Sequence, residues 1–221
     1  MLALDLVSNL IPLVSDQDTV GQVLNWMDLY RVAHLPVTDG TRYLGLVSES
    51  DILSLPDQEM PLGKIELSLI NVYVTDNQHI FEVIEHVASN NLTLMPVLNP
   101  AKEYIGCISL PDLVRNINLI TSAGVPGAII QINMPDRDYS LTSIARIIEE
   151  NRAKVLSLNV MSIPESLDIS LTIKINTSEA GSIIRSLERF GYSVKTYFLD
   201  DKQLDEFYRS RYEEFMKFMD I

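Results

Sequence analysis

Ser48 and Asp51 stand three residues apart, as do Ser109 and Asp112. Each pair follows an apolar run that opens on glycine, Gly45-Leu46-Val47 and Gly106-Cys107-Ile108, where a helix is expected to begin. A carboxylate at a helix start can accept hydrogen bonds from both hydroxyls of a ribose. The serine can bond the ribose or a first phosphate, and free amides at the helix N-terminus favour an anion. The same spacing is close to a capping box, in which the serine caps and the acid satisfies an amide. Pro111 suits the first turn of such a helix. Capping and ribose binding need the same geometry, so both readings stand.

These pairs belong to a pattern that occurs twice, about sixty residues apart. Copy one holds Val14-Ser15-Asp16, His34-Leu35-Pro36-Val37 and Gly45 to Asp51. Copy two holds Val74-Thr75-Asp76, Leu94-Met95-Pro96-Val97 and Gly106 to Asp112. Each copy reads as strand, helix, strand, strand, helix. Val20, Val23, Leu24 and Met27 fall at helical spacing, as do Ile80, Val83, Ile84 and Val87. Asp39-Gly40 and Asn99-Pro100 are turn signals between the paired strands. A unit this short, present twice, implies two half-modules sharing one core.

The doubled pattern over residues 8–120 resembles the cystathionine-β-synthase (CBS) domain pair, most of all in its Gly-apolar-apolar-Ser-x-x-Asp elements. That resemblance implies an adenosine-containing ligand: AMP, adenosine, ADP, ATP or S-adenosylmethionine. Asp51 and Asp112, with Ser48 and Ser109, are then the ribose-reading positions. Backbone groups near Val14 and Thr75, and near Leu35 and Met95, would read the adenine edge between apolar side chains. Relatives place Arg or His just before the apolar-Pro-Val strand to meet phosphate. Here copy one has His34 and copy two has Leu94, which can contact no phosphate.

Charge bears on the same choice. Residues 1–124 carry 15 acidic and five basic side chains, a net of −10 within a chain total of −13. So few cations favour an AMP-like ligand over ATP. The balance also disfavours nonspecific nucleic-acid and anionic-membrane binding. Cys107 is the only cysteine, so no internal disulfide forms. Met1 to Val14 lacks a basic n-region, and no stretch is apolar and long enough to span a bilayer, which reads as cytoplasmic.

The turn cluster 121–127 ends the repeats. Beyond it the pattern predicts β-α-β-β-α-β over 127–199, the ferredoxin-like split unit. The order, and the turn Met134 to Asp138, resemble an ACT domain, a regulatory module that often binds amino acids where two copies meet. Ser140 stands where much of that family has glycine, which argues against amino-acid binding and suits a helix N-cap. Residues 200–221 predict an amphipathic helix with Leu204, Tyr208, Tyr212, Phe215 and Met219 in its stripe. The expected fold is α/β (α+β): a pseudo-twofold CBS pair over 1–122 (repeats 8–56 and 62–120), an ACT-like domain, and the C-terminal helix. CBS, CBS, ACT in that order resembles the acetoin-utilization B-type regulatory proteins of bacteria.

His79, Glu82 and His86 share one helical face, but no fourth ligand is evident and no metal is expected. No nucleophile with a base partner and no Gly-rich phosphate loop occurs, so no enzyme activity is expected. The reading is a ligand-sensing regulator, a homodimer through either domain type, acting on an unidentified protein. The alternative is an assembly module with empty clefts.

Overall fold

The computed structural model describes residues 1–198. The helix expected over 200–221 lies outside them. The chain divides into two compact units after Asn116.

The first unit contains α1 (Val20–Tyr30), β1 (His34–Asp39), β2 (Arg42–Ser48), α2 (Glu49–Leu53), β3 (Val74–Thr75), α3 (Ile80–Ser89), β4 (Leu94–Leu98), β5 (Tyr104–Ser109) and the start of α4 (Leu110–Ile120). β1 and β2 form an antiparallel hairpin in which Asp39 faces Arg42, leaving Gly40-Thr41 as the turn. Gly40 has φ 62°, which only glycine adopts without cost. β4 and β5 repeat the hairpin, and both hairpins slip register at the same place, after Val37 and after Val97. Val14 bridges Val37 in parallel, as Val74 does Val97.

The segment before each copy crosses to the other copy. Ser8 bridges Cys107 of β5, and Ile70 bridges Leu46 of β2. Each half-sheet is therefore completed by chain from its twin, which is why neither copy stands alone. The motif glycines sit under these crossings. A Cβ on Gly45 would lie 2.7 Å from Leu69 Cβ, and one on Gly106 would collide with Val7. Tyr43 stacks on its equivalent Tyr104, with ring centroids 6.4 Å apart. The interior is aliphatic: Val23, Leu35, Leu46, Val83, Met95 and Ile108 are fully buried. Each such side chain contributes about 1.5–3 kcal/mol on leaving water.

The second unit follows the predicted order. β6 (Ile129–Pro135), α5 (Leu141–Glu150), β7 (Val155–Ser162), β8 (Asp168–Ile175), α6 (Gly181–Arg189) and β9 (Ser193–Phe198) build one antiparallel sheet ordered β7-β8-β6-β9. That order is the ferredoxin-like one. Ile130 and Ile132 from the sheet meet Ile144 and Ile148 of α5 and Ile184 and Leu187 of α6 in one core. Among the described residues no helix is long and apolar enough to cross a membrane.

Candidate functional site

β2 delivers Ser48 to the N-cap of α2. Ser48 Oγ accepts from the Asp51 amide at 3.2 Å and donates to Asp51 Oδ2 at 2.7 Å. Ser109 and Asp112 repeat both contacts, at 3.3 Å and 2.6 Å. In both copies the acid bonds the serine hydroxyl and not the serine amide. The Ser48 and Ser109 backbones belong instead to the hairpins, opposite His34 and Leu94. Half of the capping box is thus built, and one carboxylate oxygen is left for something else.

The copies differ in what that oxygen does. Asp112 Oδ1 accepts from Arg115 Nη1 at 2.8 Å. The residue equivalent to Arg115 in copy one is Ser54, whose hydroxyl bonds the Asp51 carbonyl at 2.6 Å. Asp51 Oδ1 therefore has no protein donor, and the structure places His34, Ser48 and Asp51 at one end of the first hairpin.

His34 is not the free cation that a phosphate site would use. Its Nδ1 lies 3.1 Å from Thr93 Oγ1 and accepts from the Thr93 amide at 3.3 Å. Thr93 Oγ1 in turn accepts from the Ala33 amide at 3.0 Å. This network assigns the proton to Nε2. Burial lowers the pKa of His34 below its ordinary value, and the Asp51 carboxylate only partly opposes this. The ring is neutral at pH 7 and presents one N–H donor. Thr93, which holds it, carried no signal in the sequence beyond standing where copy one has Ala33.

The expected adenine-reading positions lie elsewhere. Val14 bridges Val37, three positions along β1 from His34, about 10 Å at the strand rise. Its amide donates to Pro36 at 2.8 Å and its carbonyl accepts from Thr38 at 3.0 Å, so its backbone has no free edge. The Thr75 amide is taken by Gln78 Oε1 at 2.6 Å. Leu35 and Met95 are wholly buried core residues. His79 caps α3, its Nδ1 accepting from the Phe81 amide and its own amide donating to Glu82.

In the second unit Ser140 is the N-cap of α5, accepting from the Ser143 amide at 3.3 Å. Beside the turn that precedes it lies a cavity of about 380 Å³ reached by Asn133, whose Oδ1 is buried without a partner.

Residues 5–57 and 68–119 match the CBS domain family. An inosine-5'-monophosphate dehydrogenase of Methanocaldococcus jannaschii is 25% identical over 103 residues, 46% of this chain and 21% of that protein. The chain thus spans about a fifth of the length of that curated relative. Similar solved structures include a CBS domain pair/ACT domain protein of Thermotoga maritima, 23% identical, covering 53% of this chain and 96% of that one, with a TM-score of 0.48. CBSX2 in complex with AMP is 20% identical, covering 54% and 97%, with a TM-score of 0.46. The first unit of this chain is a tandem CBS domain pair.

Proposed function

We propose that the CBS pair is a regulatory sensor that binds an adenosine-containing ligand, with Asp51 on the ribose. The observation that carries this reading is Asp51 Oδ1, a helix-start carboxylate oxygen with no protein donor beside a buried serine. A neutral His34 and five cations against 15 acids over residues 1–124 support AMP or adenosine over ATP. Ligand binding would favour one arrangement of the molecule and shift the population toward it.

The second unit is read as an ACT-like module that mediates pairing with a second copy. Ser140 supports weak or absent amino-acid binding there, because it is engaged as a cap and carries a side chain where glycine would leave the backbone bare. The chain acts in the cytoplasm on an unidentified regulated protein, without chemistry of its own.

A thermal-shift panel of adenosine, AMP, ADP, ATP and S-adenosylmethionine tests the reading. A ligand that binds only the native state raises Tm. Adenosine or AMP should do so at lower concentration than ATP. No shift with any of the five at millimolar concentration would favour the assembly module with empty clefts.

A further inference from the structure

The two crossing segments begin and end at equivalent bonds but differ in length. The Leu62 amide bonds the Asp18 carbonyl, as the Ala3 amide bonds that of Gln78. Eight positions then lead from Leu62 to the bridge at Ile70, but only five from Ala3 to the bridge at Ser8. The longer crossing leaves a cleft of about 410 Å³ between itself and the first hairpin.

Leu44, Leu62, Leu67 and Leu69 give it apolar walls. Thr38 also lines it, at the register-shift position where copy two holds Leu98. Leu98 is 3% exposed and Thr38, a lining residue of the cleft, 8%, so copy one carries a hydroxyl where copy two has only methyl groups. That hydroxyl has no hydrogen-bond partner in the protein. The hydroxyl is open to solvent in the cleft and free to bond a ligand's polar atom, since among the described residues only Asn133 Oδ1 is buried without a partner. Asp16 and Asp39 stand exposed at the rim, and among the described residues no Lys or Arg lines the cleft. None of Ser48, Asp51, Ser109 or Asp112 reaches it.

We propose that this cleft is a second ligand site, for a small organic cation with an apolar body and an ammonium group. The body lies on the leucine walls and meets the Thr38 hydroxyl with any polar atom it carries. The ammonium faces Asp16 and Asp39. Anions of the same shape are repelled by the rim and by the net −10 of residues 1–124.

The test titrates the full chain with phenethylamine, its anionic isostere phenylacetate, and neutral 2-phenylethanol, followed by calorimetry and amide chemical shifts. Phenethylamine should bind saturably with shifts at Thr38 and Leu69, 2-phenylethanol more weakly, and phenylacetate not at all. Thr38→Leu installs the residue of copy two and should abolish amine binding, with Tm held or raised and AMP binding unchanged. If that variant fails to fold, Asp16→Asn with Asp39→Asn serves instead. It should weaken the amine about five- to tenfold and leave the alcohol unaffected. Equal binding of amine and acid, no saturable amine binding, or amine binding unchanged in the folded variants would overturn the proposal. Loss of AMP binding with amine binding intact would count against the nucleotide reading alone.

Discussion

Arg115 holds Asp112 at 2.8 Å, and no cation holds Asp51. Two sites with the same motif are therefore unequal. A ribose at Asp112 must compete with a guanidinium already bonded to the carboxylate, whereas at Asp51 it meets an unoccupied oxygen. Asp51→Asn should weaken AMP or adenosine binding by about 1–3 kcal/mol, the scale of a hydrogen bond to a charged group. Asp112→Asn should weaken it less. Ser48 and Ser109, which accept from the Asp51 and Asp112 amides, are untouched, and an Asn side-chain oxygen can still accept from the serine hydroxyl, so Tm without ligand should stay nearly unchanged in both. Calorimetry on the two variants decides the matter, and wild-type affinity in Asp51→Asn would remove Asp51 from the site.

His34 gives the fold a pH dependence with a definite sign. Its native pKa is lowered from 6.5 by burial, with Asp51 opposing. The unfolded chain then binds the proton more readily than the native one. The stabilisation is fully present above 6.5 and drains away as pH falls through 6.5 and on through the lower native value. His34→Gln keeps an acceptor for the Thr93 amide without titrating. Denaturant titrations at pH 7.5 and 5.5 should show wild type losing more stability on acidification than the variant. A larger loss in the variant would contradict the assignment.

The repeat and the β-α-β-β-α-β order were legible because both rest on spacing, which survives in one dimension. Pro36 with Val37, and Pro96 with Val97, mark the hairpins, and Gly40 marks a turn whose φ demands it. The crossing of Ser8 to Cys107 was not legible, because a two-residue bridge between distant segments leaves no periodicity. Nor was the pairing of His34 with Thr93, which depends on how two similar halves face each other. The Ser-x-x-Asp elements were found, but which carboxylate keeps a free oxygen turned on Arg115 and Ser54, two ordinary helix residues in the sequence. Val14 was expected to offer its backbone, but a parallel bridge consumes it.

Cys107 should behave as an inert thiol. It is fully buried in β5 with Ser8 O at 3.9 Å, and burial pushes its pKa up to about 11, against a smaller lowering by a hydrogen bond with Tyr104. The thiolate is the reactive form, so little is present at neutral pH. An aromatic disulfide reagent should react with the folded chain only as fast as β5 opens, and at once in denaturant. Rapid stoichiometric reaction under native conditions would show that the Ser8 crossing does not cover the thiol.

The motif glycines explain themselves through the crossings, and this yields the sharpest stability test. Gly45 has φ 153° and Gly106 φ 142°, backbone that side chains rarely adopt. An added methyl at Gly45 would lie 2.7 Å from Leu69 Cβ and 3.3 Å from the Ile70 carbonyl oxygen. At Gly106 it would strike Val7 and lie 3.1 Å from the Ser8 carbonyl oxygen. In each case the obstacle includes backbone of the crossing segment, which cannot swing aside without breaking its bridge. Gly45→Ala and Gly106→Ala should each cost about 1–3 kcal/mol by overpacking, with backbone strain added. Gly40→Ala is the control, since nothing lies within 4 Å of its added methyl and only the φ 62° strain remains. Denaturant midpoints should therefore fall further for the two motif glycines than for Gly40. If all three fall equally, strain alone explains the glycines, and the close approach of the swapped segments has no part in fixing them.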